Sequence, residues 1–241
     1  NKTYMFISSG DQKNPSELNQ LKSANDVVIN NHILPSPIGG NVSHLYKTTT
    51  PPSNFGPYTN AQVDSMISLG GLFISYLGHS GTQIWDNGIT DVSQLHNANG
   101  KNPLITDFGC STGKFAEPDI KAFSELFICN PNGEAIGYLG NASLGFFSSA
   151  TSGPNVFYGI LLKNDISIAK AHVMAKASLL QSFGSSETFR VFSYTNTFFG
   201  DPIIALKKPP LSDLILNSSD LISESPIISD KQDSTGFSIN L

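Results

Sequence analysis

Two stretches decide how this chain is read: SLGGLFISYLGHSG (68–81) and PLITDFGCSTG (103–113). Each is a short apolar run that ends among small residues, and each delivers one reactive side chain at that end, His79 in the first and Cys110 in the second. LFISYLG (72–78) has strand length with no polar alternation, the pattern of a strand buried on both faces of a parallel sheet. Ahead of it, AQVDSMISLG puts Val63, Met66 and Ile67 on one helical face, with Thr59 as N-cap and Gly70-Gly71 as the stop. Helix, glycine, buried strand is the order of an α/β sheet. His79 and Cys110 are 31 residues apart, about one strand–helix–strand crossover, so the two strands are expected side by side and parallel. Side chains at the carboxyl ends of such strands share the crevice where open α/β sheets place their ligands.

Working outward, residues 2–9 read as a strand that stops at Gly10-Asp11, and 15–33 as a polar helix followed by a short strand at Val27-Val28-Ile29. The Pro-, Gly- and Ser-rich stretch 34–58 reads as a loop with one strand near Val42–Tyr46. Residues 82–102 are mostly loop with a short helix near Val92–His96. A helix over 117–129, the strand AIGYLGN (135–141) and one or two helices over 154–182 follow. A short strand, Ile203–Leu206, leads into Pro209-Pro210, the strongest domain boundary in the chain. Beyond it an alternating, Ser- and Asp-rich pattern reads as the first strands of a β-sandwich. The expected organisation is a mostly parallel α/β unit over 1–208 and a linker with sandwich strands over 209–241. The chain begins at Asn1 without an initiator Met and is read as a piece of a longer protein.

Composition narrows the function classes. Charged residues are 14% of the 241, against about 25% in an average soluble domain, a balance that suits a secreted or cell-surface protein. The net charge of −5 and the scattered Lys and Arg exclude a nucleic-acid footprint. No apolar run approaches the ~20 residues of a membrane span. Two cysteines, Cys110 and Cys129, are too few for a disulfide scaffold or a zinc site. Either they bridge each other, or one is kept for reactivity.

A thiol of ordinary pKa near 8.5 is mostly protonated at neutral pH. An adjacent imidazole takes its proton, the thiolate attacks a carbonyl, and the imidazolium protonates the leaving amine. The oxyanion that forms needs backbone N–H donors, and the small residues around both turns offer them at Ser80, Gly81 and Cys110. Taken singly, a Cys in apolar sequence or a His at a strand end is commonly structural; the paired strand-end placement raises the catalytic reading to equal standing.

The blocks SLGGLFISYLGHSGTQIW (68–85), PLITDFGCSTGKF (103–115), AFSELFICNPNGEAIGYLGNASLGF (122–146) and NTFFGDPIIALKKP (196–209) resemble the gingipain-type cysteine peptidases in order and spacing. The resemblance implies a caspase-like three-layer α/β/α fold, a Cys–His dyad on Cys110 and His79, protein or peptide substrates, and an Ig-like β-sandwich after the peptidase. It sets a secreted cysteine endopeptidase beside two alternatives: a sortase-like processing peptidase of a surface secretion system, and a non-catalytic binding module that keeps the fold. The family has Gly directly after the His, where this chain has Ser80; the oxyanion amide survives if φ there is negative. In such a fold Asn141, Ala142 and Ser143 border the substrate. Trp85 either walls the cleft or packs the core. No third catalytic residue is evident: Asp11, at the end of the first strand, serves or is a solvated turn residue. No cofactor is expected. A structural calcium ion is conceivable in the Asp/Asn loops 86–99, with no ligand-loop pattern behind it, and His32, His44, His96 and His172 lack metal-ligand spacing.

Overall fold

The computed structural model describes residues 3–49, 60–86, 91–97, 100–131, 135–184, 186–208, 221–223 and 237–239. Six strands form one sheet: β1 (Thr3–Ser8), β2 (Asn41–Tyr46), β3 (Phe73–Leu77), β6 (Leu104–Asp107), β7 (Gly137–Asn141) and β8 (Asn196–Gly200). The intervening β4 (Ser80–Gly81) and β5 (Ile84–Trp85) make a small hairpin beside it. The sheet order is β2-β1-β3-β6-β7-β8, parallel throughout except for the antiparallel edge strand β8. This is the expected mostly parallel α/β architecture.

Strand alternation sorts the sheet's side chains between two cores. Tyr4 and Phe6 of β1 face a core shared with α1 (Pro15–Val28), α4 (Phe147–Lys163), α5 (Ile168–Phe183) and α6 (Glu187–Thr195). Met5 and Ile7 face the opposite core, with Val63, Met66 and Ile67 of α2 (Asn60–Leu69) and Phe123 and Phe127 of α3 (Phe123–Cys129). Three layers result, with the sheet in the middle.

Several boundaries differ from expectation. Val27, Val28 and Ile29 are not a strand: α1 runs through Val28 and passes into a π-helical turn, Ile29–Ile33. Leu18, Leu21, Ala24, Asn25 and Val28 are buried at helical spacing, and packing of that face overrides the β-branched run. The last sheet strand is Asn196–Gly200, not Ile203–Leu206; Gly200, at φ 135°, ends it, and the amide of Ile204 bonds back to the Asp201 carbonyl in a turn. The helix expected over 117–129 begins only at Phe123. Of the expected β-sandwich, two three-residue strands, β9 (Leu221–Ser223) and β10 (Phe237–Ile239), pair antiparallel; the rest of 209–241 lies outside the described residues, as do Thr59 and part of the loop 86–99.

β1 sits between β2 and β3, so the chain leaves β1 in one direction to reach β2 and continues from β3 in the other. The carboxyl ends of β1 and β3 therefore flank the point where strand order reverses, the usual ligand position in an open α/β sheet.

Candidate active site

Three loops meet at that carboxyl edge. β3 ends at Leu77 and hands over through Gly78 to His79, whose carbonyl accepts from the Tyr76 hydroxyl (2.5 Å) and the Asp86 amide (2.9 Å). β6 ends at Asp107 and turns through Phe108-Gly109 to Cys110. β1 leads through Gly10 into α1, which carries Glu17 in its first turn. His79, Cys110 and Glu17 line one cleft together with Leu21, Gly145 and Phe147.

Glu17 is the acidic partner that the sequence reading did not find. Its Oε1 lies 2.8 Å from His79 Nε2 and also accepts the Asp11 amide at 3.1 Å. Asn14 caps α1 by accepting the Glu17 amide, so Asn-Pro-Ser-Glu (14–17) fixes the carboxylate in the third helical position. A helix start directly after a strand is the one local feature that sets an acid at the sheet edge. Gly10 is required here: it has φ 128°, and a Cβ on it would stand 2.9 Å from Glu17 Oε1. Asp11 itself is an exposed turn residue whose carboxylate accepts the Lys13 amide; its amide, not its carboxyl, serves the site.

The Cys110 turn is fastened on both sides by buried polar groups. Asp107 accepts from the Gly109 amide (2.6 Å), the Ser80 hydroxyl (3.3 Å) and Trp85 Nε1 (2.9 Å), tying the Cys turn to the hairpin that follows His79. Burial pushes the Asp107 carboxyl up to about 6, against the opposing pull of those hydrogen bonds. The Ser80 hydroxyl also lies 3.0 Å from the Cys110 carbonyl oxygen. On the other side, Asn141 Nδ2 donates to the carbonyls of Phe108 (3.1 Å) and Gly109 (2.6 Å). Asn141 Oδ1 accepts from Asn196, whose own Oδ1 pairs with His172 Nε2 at 2.7 Å. Burial holds His172 low, at about 4, so it is a neutral hydrogen-bonding residue. Ser111, at φ 60°, is the one non-glycine residue with positive φ among those described, and its amide is taken by the Ser143 carbonyl (2.9 Å). The Gly145 amide points at Cys110 Sγ from 3.3 Å.

Several expected site residues take other places. Trp85 is fully buried, stacked on Tyr76 with ring centroids 4.4 Å apart, and does not wall the cleft. Asn141 is buried and braces the Cys turn; Ala142 donates its amide to Thr195. The residues of this segment that reach the cleft are the next ones along, Gly145, Phe146 and Phe147. Ser80 has no positive φ, so its replacement of Gly leaves the backbone unstrained. Cys110 and Cys129 are both free, the first half-buried and the second exposed. Among the described residues no three His, Cys, Asp or Glu side chains gather as a metal site, and no helix is long and apolar enough to cross a membrane.

The fold has clear relatives among solved structures. The Arg-specific cysteine proteinase gingipain R superposes with a TM-score of 0.68 at 16% identity, covering 86% of this chain and 48% of that one. The complex of RgpB pro- and mature domains from Porphyromonas gingivalis gives 0.66 at 16% identity with the same coverage, and a further protease structure gives 0.65 at 14%, covering 92% and 53%. The chain thus spans about half the length of these proteins. No curated protein sequence matches it. The sequence profile of peptidase family C25 matches residues 1–207, a span that holds the whole six-stranded sheet and every segment lining the cleft, and the chain belongs to that family.

Proposed function

We propose that this chain is the catalytic unit of an exported cysteine endopeptidase in which Cys110 is the nucleophile, His79 its general base and Glu17 the acid that orients the imidazole. The observation that carries the reading is the convergence of Cys110, His79 and Glu17 on one cleft, with the Glu17 carboxylate 2.8 Å from His79 Nε2. With Nε2 engaged by Glu17, Nδ1 is the nitrogen left to serve the thiol. It takes the Sγ proton, Sγ attacks the peptide carbonyl, and the imidazolium returns the proton to the departing amine. Water, activated by the same imidazole, then hydrolyses the thioester. Glu17 stabilises the imidazolium formed on the way.

The oxyanion is held by backbone amides. Cys110 supplies one. In the hairpin, the bond from the Asp86 amide to the His79 carbonyl sets the hydrogen-bonded pairs at 79·86 and 81·84. Gly81 is thereby engaged, and the Ser80 amide is the one left for the oxyanion. The low charge content is the basis for placing the protein outside the cell or on its surface.

Cys110→Ala tests the assignment. Hydrolysis of a casein or mixed-peptide substrate should fall by at least about a thousandfold, with an unchanged circular dichroism spectrum. A folded variant that retains turnover would sink it.

A further inference from the structure

We infer that the cleft selects a neutral, apolar residue on the acyl side of the scissile bond; this rests on the peptidase reading above and adds its substrate class. The wall beside the thiol is hydrocarbon. Leu21 and Ala150, at 3% and 7% exposure, form its floor, and Phe146 and the 43%-exposed Phe147 stand at its mouth. Exposed aromatic and aliphatic surface around a nucleophile is a docking surface for apolar side chains, which gain by leaving water there.

The charge of the cleft points the same way. A basic side chain entering it would need a carboxylate to replace its hydration. Glu17 is the one acidic residue among the described residues that line the cleft, and both of its oxygens are engaged: Oε1 by His79 and the Asp11 amide, Oε2 by Asn14 Nδ2 at 3.3 Å. Asp107 is fully buried behind the Cys turn and saturated by Gly109, Ser80 and Trp85. Drawing Glu17 toward a guanidinium would pull it off the imidazole it orients. Further along the same two helices, α1 and α4 frame a groove in which every lining side chain is neutral, uncharged polar ones such as Gln20, Ser23 and Asn155 mixed with Ala24, Val27 and Val156. Gingipain R is Arg-specific by its own description; among the described residues this cleft has no lining carboxylate other than the engaged Glu17.

The test uses peptidyl acyloxymethyl ketones that alkylate a catalytic thiol and differ only in the residue next to the warhead: leucine, alanine, arginine or aspartate. Intact-mass spectrometry follows labelling of Cys110, so no turnover is needed. The leucine probe should label at least about tenfold faster than the arginine and aspartate probes. Phe147→Ala, at a half-exposed position the fold tolerates, should slow the leucine probe several-fold more than it slows the alanine probe. An arginine or aspartate probe that labels as fast as the leucine probe overturns the inference and leaves the peptidase assignment standing. Labelling of Cys110 by none of the four overturns the assignment itself, and the inference with it.

Discussion

The Cys110 turn and the His79 loop face each other across one cleft but are held in different ways. Around Cys110, the anchoring carboxylate and amides are buried: Asp107, Asn141 and Asn196 are at most 1% exposed, the first two engaging the carbonyls and amide on the approach to the sulfur and Asn196 bracing Asn141. The His79 side chain is 65% exposed, and among the described residues its ring has a single polar partner, Glu17. The Cys110 turn is fixed by the interior of the protein, whereas the His79 ring is fixed by one side-chain contact. Damage to the first region should therefore register as lost stability, and damage to the second as lost rate.

Asn141→Ala is the strongest way to break that contrast. It strands the Asn196 amide and the carbonyls of Phe108 and Gly109 without partners in a dry environment. A loss of about 3 kcal/mol is expected, read as a fall of roughly 10 °C in thermal midpoint; a shift below about 2 °C would mean that the turn does not depend on its buried braces.

Asp107 sharpens the same side of the comparison through pH. Its carboxyl is raised from 3.8 to about 6 by burial, so between those values the folded protein holds a proton that the unfolded chain releases. The sign follows: stability falls as pH rises through that window and stays lower above it. The expected size is about 2–3 kcal/mol. Subtracting urea-unfolding free energies of Asp107→Asn from those of the parent between pH 4 and 7 isolates the effect, and a flat difference would contradict it.

Glu17→Gln probes the other side. The amide oxygen still accepts a hydrogen bond but no longer stabilises an imidazolium. A fall in kcat of about tenfold is expected, with KM and thermal midpoint nearly unchanged; a large stability loss would show that the His79 loop is as dependent on its anchor as the Cys turn. Smallest of all, Cys129→Ser, at an exposed free thiol, should alter stability by less than about 0.5 kcal/mol and leave thiol-directed inhibition intact, which assigns that inhibition to Cys110.

How much of this was legible in the sequence depended on the range of the signal. β3 and β6 were readable because a strand buried on both faces is a continuous apolar run, and the reactive residues stood at the ends of those runs. Glu17 was overlooked because its role comes from β1 lying next to β3, a neighbour relation that residues 17 and 79 do not announce. Val27–Ile29 misled because β-branched residues suit either structure and only packing chose the helix. Trp85 had two readings, cleft wall or core packing, and takes the second, while Asn141 lies in the expected loop but faces inward: sequence position shows which turn a side chain belongs to, and the pleat decides whether it faces solvent or core.

The strand order also has a consequence for how the site comes into being. Glu17, His79, Cys110 and the Gly145 amide belong to four separate crossings of the sheet, and no local segment holds even two of them in place. A ribosome-bound chain that has not yet delivered β7 and the residues after it has a thiol but no finished site around it. The four groups therefore come together only after synthesis has passed residue 145 and the sheet has closed over its last parallel strand. In a refolding experiment the alkylation rate of Cys110 would serve as a clock for that final step.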